Sequence, residues 1–259
     1  MQQAKSADGT TIAFDRSGDG PALILVNGAL SDGAAGIPLA ELLAPTFTVY
    51  RYDRRGRGSS GDTPPYAPER EIEDLGAIIA EAGGSASVYG HSSGGVIGLE
   101  ASARKLPITR LAVYEPPYII EGDRTVPAPD LGSRLGDLVS SGRRGEVVKI
   151  FLTEAVGMPP EVVAQMESSP AWPAMEAMAH TIPYEFELVG NGNGMPTGLL
   201  ATIQVPTLAL DGGASPDWAR HSVREVTSVI PGARNITLEG QTHGADVKLL
   251  APVLAEFFS

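Results

Sequence analysis

The 259-residue sequence contains no cysteine. Disulfides, thiolate metal sites and a cysteine nucleophile are thereby excluded. Histidine is scarce too: only His91, His180, His221 and His243 occur. No two of them stand at a close ligand spacing such as His-x-x-x-His, so no metal is expected. No apolar run approaches the roughly 20 residues that cross a bilayer. Residues 1–10 are polar and lack the apolar core of a signal peptide. A cytoplasmic protein is the expectation. Positive charge is also in short supply, with 19 Lys and Arg against 31 Asp and Glu and a formal net charge of −12. A chain this acidic repels phosphates and anionic headgroups, so neither nucleic acid nor a membrane is an expected partner.

What is present is an ordinary globular balance, 42% hydrophobic and 19% charged, in a chain long enough for one large α/β domain. Short apolar runs alternate with amphipathic stretches, the rhythm of a mostly parallel sheet flanked by helices. Strands are predicted at 10–15, 22–26, 46–52, 85–89, 111–114, 207–210 and 235–238. The run 22–26 (ALILV) is apolar throughout, as expected of a strand covered on both faces. Helical periodicity over 69–82 puts Ile72, Leu75, Ile78 and Ile79 on one face. The last helix begins near 245, and Asp217 is placed to cap another that runs to about 230. Residues 118–203 break the rhythm. They carry helical patterns at 131–139, 145–155, 160–168 and 172–182, then the glycine-rich run 190–194 (GNGNG), a flexible connection. The expected organisation is an α/β core of residues 1–117 and 204–259, with a helical cap inserted over 118–203.

The strongest local signal is Gly90-His91-Ser92-Ser93-Gly94, set between a predicted strand and a predicted helix. A strand that turns straight into a helix makes a tight, strained bend. The residue at its tip is pushed out above the sheet, and its neighbours must be small so that backbones can close around it. A serine there presents its hydroxyl to a substrate. The next backbone N–H, at the helix start, can stabilise a negative oxygen. By composition about 0.3 chance matches to Gly-x-Ser-x-Gly are expected, so the strand-to-helix context carries the reading. Ser92 is the candidate nucleophile. Ser93 is its rival and lacks a glycine two residues before it.

With these landmarks the sequence resembles the α/β-hydrolase family over nearly its whole length. After ALILV comes Asn27-Gly28-Ala29-Leu30, where the family usually has His-Gly. The stretch Asp53-Arg54-Arg55-Gly56-Arg57-Gly58-Ser59-Ser60 is similar to the family's Asp-x-Arg-Gly-x-Gly-x-Ser. That stretch reads as structural, with glycines for turns and arginines for surface or loop pairing. The family's histidine falls after the last strand, where Gly240-Gln-Thr-His243-Gly lies. The resemblance implies that His243 is the general base and that the Ala29 and Ser93 amides form the oxyanion hole. Asn27 departs from the family pattern, but the donor is a backbone group, so the hole need not be lost.

The acid is less direct. The family usually takes it from Gly-x-x-Asp after its seventh strand. Here Asp211-Gly-Gly-Ala-Ser215 puts a serine at that place. Another branch, including some macrolactone hydrolases, places the acid after the sixth strand, where Val113-Tyr-Glu115-Pro-Pro lies. Glu115 is therefore expected to face His243, with Asp211 as competitor and Asp217 as a cap. Five of the six methionines and Trp172 fall in the helical segment, which suits a bulky apolar substrate. Trp172, Met175 and His180 are the expected substrate contacts. The other histidines, His91 and His221, are expected to pack. Together these point to cofactor-free hydrolysis of a carboxylic ester or lactone of a small molecule. The alternatives are a cofactor-free haloperoxidase or other non-hydrolytic enzyme, and a ligand receptor of the same fold.

Overall fold

The computed structural model describes residues 1–259, apart from the side chain of Asn191. Eight strands form one sheet: β1 (Gln2–Lys5), β2 (Thr11–Ser17), β3 (Ala22–Val26), β4 (Thr48–Tyr52), β5 (Ala86–His91), β6 (Ile108–Tyr114), β7 (Thr207–Gly212) and β8 (Arg234–Leu238). Their order is β1-β2-β4-β3-β5-β6-β7-β8. The pairs β1·β2 and β2·β4 are antiparallel, and every other pair is parallel. The central strands are buried on both faces, which is why β3 reads as an unbroken apolar run and β7 carries one over Leu208–Leu210. The sequence reading missed only β1, a four-residue edge strand with one buried side chain.

Helices cover both faces. On one lie α2 (Pro68–Glu81), α3 (Ser93–Ala103) and α10 (Asp217–Val229), which bury Leu75, Ile97 and Val223 against the sheet. On the other lie α1 (Ile37–Leu43) and α11 (Val247–Phe258), which bury Leu39, Leu43, Leu254 and Phe257. From β3 the chain passes to β4 on one side and then to β5 on the other. The β3–β5 boundary is thus a topological switch point, where a crevice opens at the carboxyl ends of the strands.

Between β6 and β7 there is no strand among the described residues. Six helices fill the gap: α4 (Leu131–Ser140), α5 (Arg144–Ile150, continued by a π turn Phe151–Ala155), α6 (Pro160–Met166), α7 (Trp172–Met178), α8 (Ile182–Val189) and α9 (Thr197–Leu200). Their inner faces build a second apolar core from Leu131, Leu135, Val147, Val148, Trp172 and Ile182. Ala29 and Leu30 pack against this core, so the loop after β3 touches the helical segment directly. Asp217 does not cap α10. Pro216 holds the cap position and Asp217 lies in the first turn, with its side chain almost fully exposed. No described helix is long and apolar enough to cross a membrane.

Candidate active site

Ser92 sits at the tip of the β5–α3 bend with φ 55° and ψ −124°. A non-glycine residue in this region stores strain, which persists only where the surroundings over-determine it. Here they do. Ser92 N–H donates to Tyr114 O at 2.9 Å, and Gly95 N–H donates to Ser92 O at 2.8 Å. The motif glycines are there for lack of room. A Cβ on Gly90 would meet Gly94 O at 2.4 Å, and one on Gly94 would meet Val26 O at 2.1 Å. The chain after β3 comes as close. A Cβ on Gly28 would lie 2.9 Å from the Ser92 Cβ, so Gly28 is what lets the Ala29 backbone approach the elbow. Among the described residues, neither the Ala29 nor the Ser93 N–H donates to another protein group. Ser93 opens α3, where the first N–H groups have no partner inside the helix.

His243 lies in the loop between β8 and α11. Its Nδ1 is 2.7 Å from Glu115 Oε2. Glu115 is buried, one residue beyond β6, with φ 45°. Its other oxygen accepts the Gly212 N–H at 2.8 Å. Burial alone would raise the Glu115 carboxyl. Bonding from His243 and the Gly212 amide outweighs it and holds the group below the ordinary carboxylate range. With Nδ1 committed to Glu115, the His243 Nε2 is the ring nitrogen left for proton transfer.

Two further contacts hold the His243 loop in place. Tyr114 donates its hydroxyl to Thr242 O at 2.7 Å, and His91 Nε2 donates to His243 O at 2.8 Å. Donation to a carbonyl requires the proton on Nε2 of His91. Burial, aided by repulsion from His243, pushes His91 down from 6.5 to about 4. The fold therefore favours neutral His91. Between about pH 6.5 and about pH 4 the unfolded chain binds a proton there that the folded chain does not. Stability from this group is complete above about pH 6.5 and falls as pH drops toward about 4. His91→Gln should flatten that acid-side slope. Urea midpoints of both proteins at pH 7.5 and pH 5 measure it, and equal shifts in the two would refute it.

Ser92, Ser93, Ala29, Glu115 and His243 all line one cavity of about 490 Å³. A family model described as the alpha/beta hydrolase family matches residues 23–252. The chain belongs to the alpha/beta hydrolase family. An alpha/beta hydrolase from Sphaerobacter thermophilus, known from its crystal structure, is 58% identical with a TM-score of 0.96, and the alignment covers 100% of both chains. N-formylmaleamate deformylase of Pseudomonas putida is 36% identical over 115 residues, 43% of either chain. A pimeloyl-[acyl-carrier protein] methyl ester esterase of Xanthomonas campestris is 37% identical over 101 residues, 39% of this chain and 38% of its own. The similarity to these curated relatives thus spans less than half of their length.

In this alpha/beta hydrolase, Asp211 is turned away from His243. It accepts from Asn235 Nδ2 at 2.9 Å and from Thr237 Oγ1 at 3.1 Å, tying β7 to β8. Trp172, Met175 and His180 do not line the cavity. Trp172 and Met175 belong to the core of the helical segment, and the Trp172 indole donates to Glu176 at 2.9 Å. His180 Nδ1 instead lies 3.2 Å from Ala177 O. Met158 is the only methionine among the described lining residues, and the tryptophan there is Trp218 on α10. Helical periodicity marks a buried face but cannot tell a face packed on its own helices from one that lines a cavity. His221 pairs with Asp123 at 2.7 Å and is not among the described lining residues. Asn27 braces its own loop, donating to Asp32 O at 2.7 Å.

Of the surface or loop pairing expected of Arg54, Arg55 and Arg57, the structure shows the loop pairing and not the surface. All three are fully buried rather than at the surface. Arg55 pairs in fork geometry with Asp74, both bonds at 2.8 Å. Arg54 pairs with Glu71 and also donates to Ser93 Oγ at 3.1 Å and to Asn27 O at 3.3 Å. Arg57 donates to Gly28 O at 2.9 Å and pairs with Glu185 of α8. Glu185 is also 3.2 Å from Arg54. Burial opposes charge on Glu185, but the two guanidinium groups hold its carboxyl below the ordinary range. One charge cluster therefore ties the loop after β3, the elbow and the helical segment together. The Arg-Gly-x-Gly spacing carried the turns. It held no sign of a partner 128 residues away.

Proposed function

We propose that the chain is a serine hydrolase that cleaves a carboxylic ester or lactone of a largely apolar small molecule. The observation that carries this is a strained elbow serine sharing one cavity with a histidine whose Nδ1 is held by a buried carboxylate. Ser92 Oγ attacks the carbonyl carbon, and its proton passes to His243 Nε2. The new oxyanion accepts the Ala29 and Ser93 N–H groups. Collapse expels the alcohol oxygen, which takes the proton from His243. Water then gives a proton to the same nitrogen and attacks the acyl-enzyme; the acyl–oxygen bond to Ser92 breaks, Ser92 Oγ takes the proton back from His243, and the acid leaves. Glu115 keeps the ring oriented and steadies the imidazolium while it exists.

The helices over 118–203 act as a cap. Phe151, Val156 and Phe186 supply apolar cavity wall, and Glu185 couples the cap to the oxyanion loop. Relatives named as an esterase and a deformylase are in keeping with acyl transfer to water. The test is a fluorophosphonate probe with peptide mapping, run beside a panel of p-nitrophenyl esters and lactones. Labelling at Ser92 with burst release of p-nitrophenol is expected. Absence of both would leave the protein a receptor or a non-hydrolytic enzyme.

A further inference from the structure

Besides His243, three ionisable side chains line the cavity: Glu115, Glu185 and Arg124. Glu115 is answered by His243, and Glu185 by Arg54 and Arg57. Arg124 has no carboxylate within 4 Å among the described residues, and it is the only Lys or Arg among the described lining residues. Its guanidinium lies over the Trp218 ring, 4.5 Å from the centroid. It donates to Ala155 O, and to Val156 O at 3.5 Å. Those contacts fix the plane of the group and use two of its five N–H donors. The remaining donors belong to a half-buried cation stacked on the Trp218 ring.

A half-buried cation without a counter-charge is costly, and an anionic ligand group removes that cost. We propose that Arg124 binds a carboxylate carried by the substrate, which makes the preferred substrate an ester or lactone with an apolar body and a carboxylate apart from the reacting carbonyl. This rests on the hydrolase reading above. Burial lowers the basicity of Arg124, as expected of a cation the protein leaves uncompensated. A carboxylate fits better than a phosphate. One planar guanidinium matches one carboxylate in fork geometry, whereas a dianion would leave a second charge facing Glu185 and Glu115. Arg124 is held against Ala155, Val156 and Trp218, a wall distinct from the β3–β5 crevice that holds Ser92. The carboxylate and the scissile bond would therefore sit at separate places in one cavity.

The test pairs the mono-p-nitrophenyl ester of a medium-chain dicarboxylic acid with a methyl-terminated ester of equal chain length. The wild type should favour the carboxylate-terminated ester in kcat/KM. Arg124→Ala should lower that ratio about tenfold to hundredfold, the range of a charge-assisted hydrogen bond, chiefly through KM. Arg124→Lys should restore part of it. Should Arg124→Ala fail to fold, Arg124→Gln carries the same comparison. Calorimetry with octanoate against octanamide gives a readout independent of turnover. The carboxylate should bind at least about tenfold tighter, and the preference should vanish with Arg124→Ala. If neither ester is cleaved but the calorimetric preference holds, the hydrolase reading fails and Arg124 recognition stands. A wild type indifferent to the carboxylate, or a preference unchanged in Arg124→Ala, overturns the inference.

Discussion

Ser92→Ala is expected to lower ester turnover by roughly four to six orders of magnitude and to abolish fluorophosphonate labelling, with the fold intact. The hydroxyl is the atom that would form the acyl bond, and no neighbour can take its place. Ser93 is the nearest alternative. It is buried and its Oγ is engaged by Arg54 at 3.1 Å. Alanine leaves the elbow's hydrogen bonds untouched, because Ser92 contributes only its backbone N–H and O to them. Circular dichroism and urea midpoints should therefore match the wild type. Labelling of Ser93 in the variant, or turnover within tenfold of wild type, would show that the nucleophile is elsewhere.

Glu115→Gln should cost about three to four orders of magnitude in kcat/KM, and Asp211→Asn less than about tenfold. The two carboxylates end neighbouring strands and are equally buried, so burial does not separate them. Their partners do. Glu115 receives His243 Nδ1 at 2.7 Å and Gly212 N–H at 2.8 Å. The two N–H groups face different Glu115 oxygens, and a glutamine has an oxygen at only one of those places. Either its NH₂ faces the Gly212 N–H, or it faces Nδ1 and forces His243 into the wrong tautomer. Asp211 holds Asn235 and Thr237 at one and the same oxygen, Oδ1, and an asparagine oxygen still serves both. Steady-state kinetics of the two variants decide the matter, and a larger loss for Asp211→Asn would reverse the assignment.

Some of this was legible because it is local. A buried central strand must be apolar at every position, so β3 was readable to the residue. The elbow was readable because a strand-to-helix bend leaves no room for a Cβ at Gly90 or Gly94, and that requirement is written within five residues. Boundaries elsewhere drifted by a few residues. At β6 the exposed and half-buried Thr109 and Arg110 interrupt the apolar run, so the predicted strand began three residues late.

The sequence by itself determined the layered α/β architecture, the elbow and the break in rhythm over 118–203, since each follows from periodicity or from crowding between near neighbours. Only the tertiary structure decided which carboxylate meets His243. Asp211 lies within β7, and its side chain reaches across to β8. Glu115 lies just past β6, where its positive φ turns it toward the His243 loop. It alone decided that Arg54 and Arg57 are buried against the loop after β3, because their partner Glu185 comes from a helix more than a hundred residues on. It also decided that Arg124 and Trp218, not Trp172 and Met175, face the cavity. Which side of a helix meets a cavity is set by how helices dock, and docking is a long-range packing outcome that no local pattern encodes.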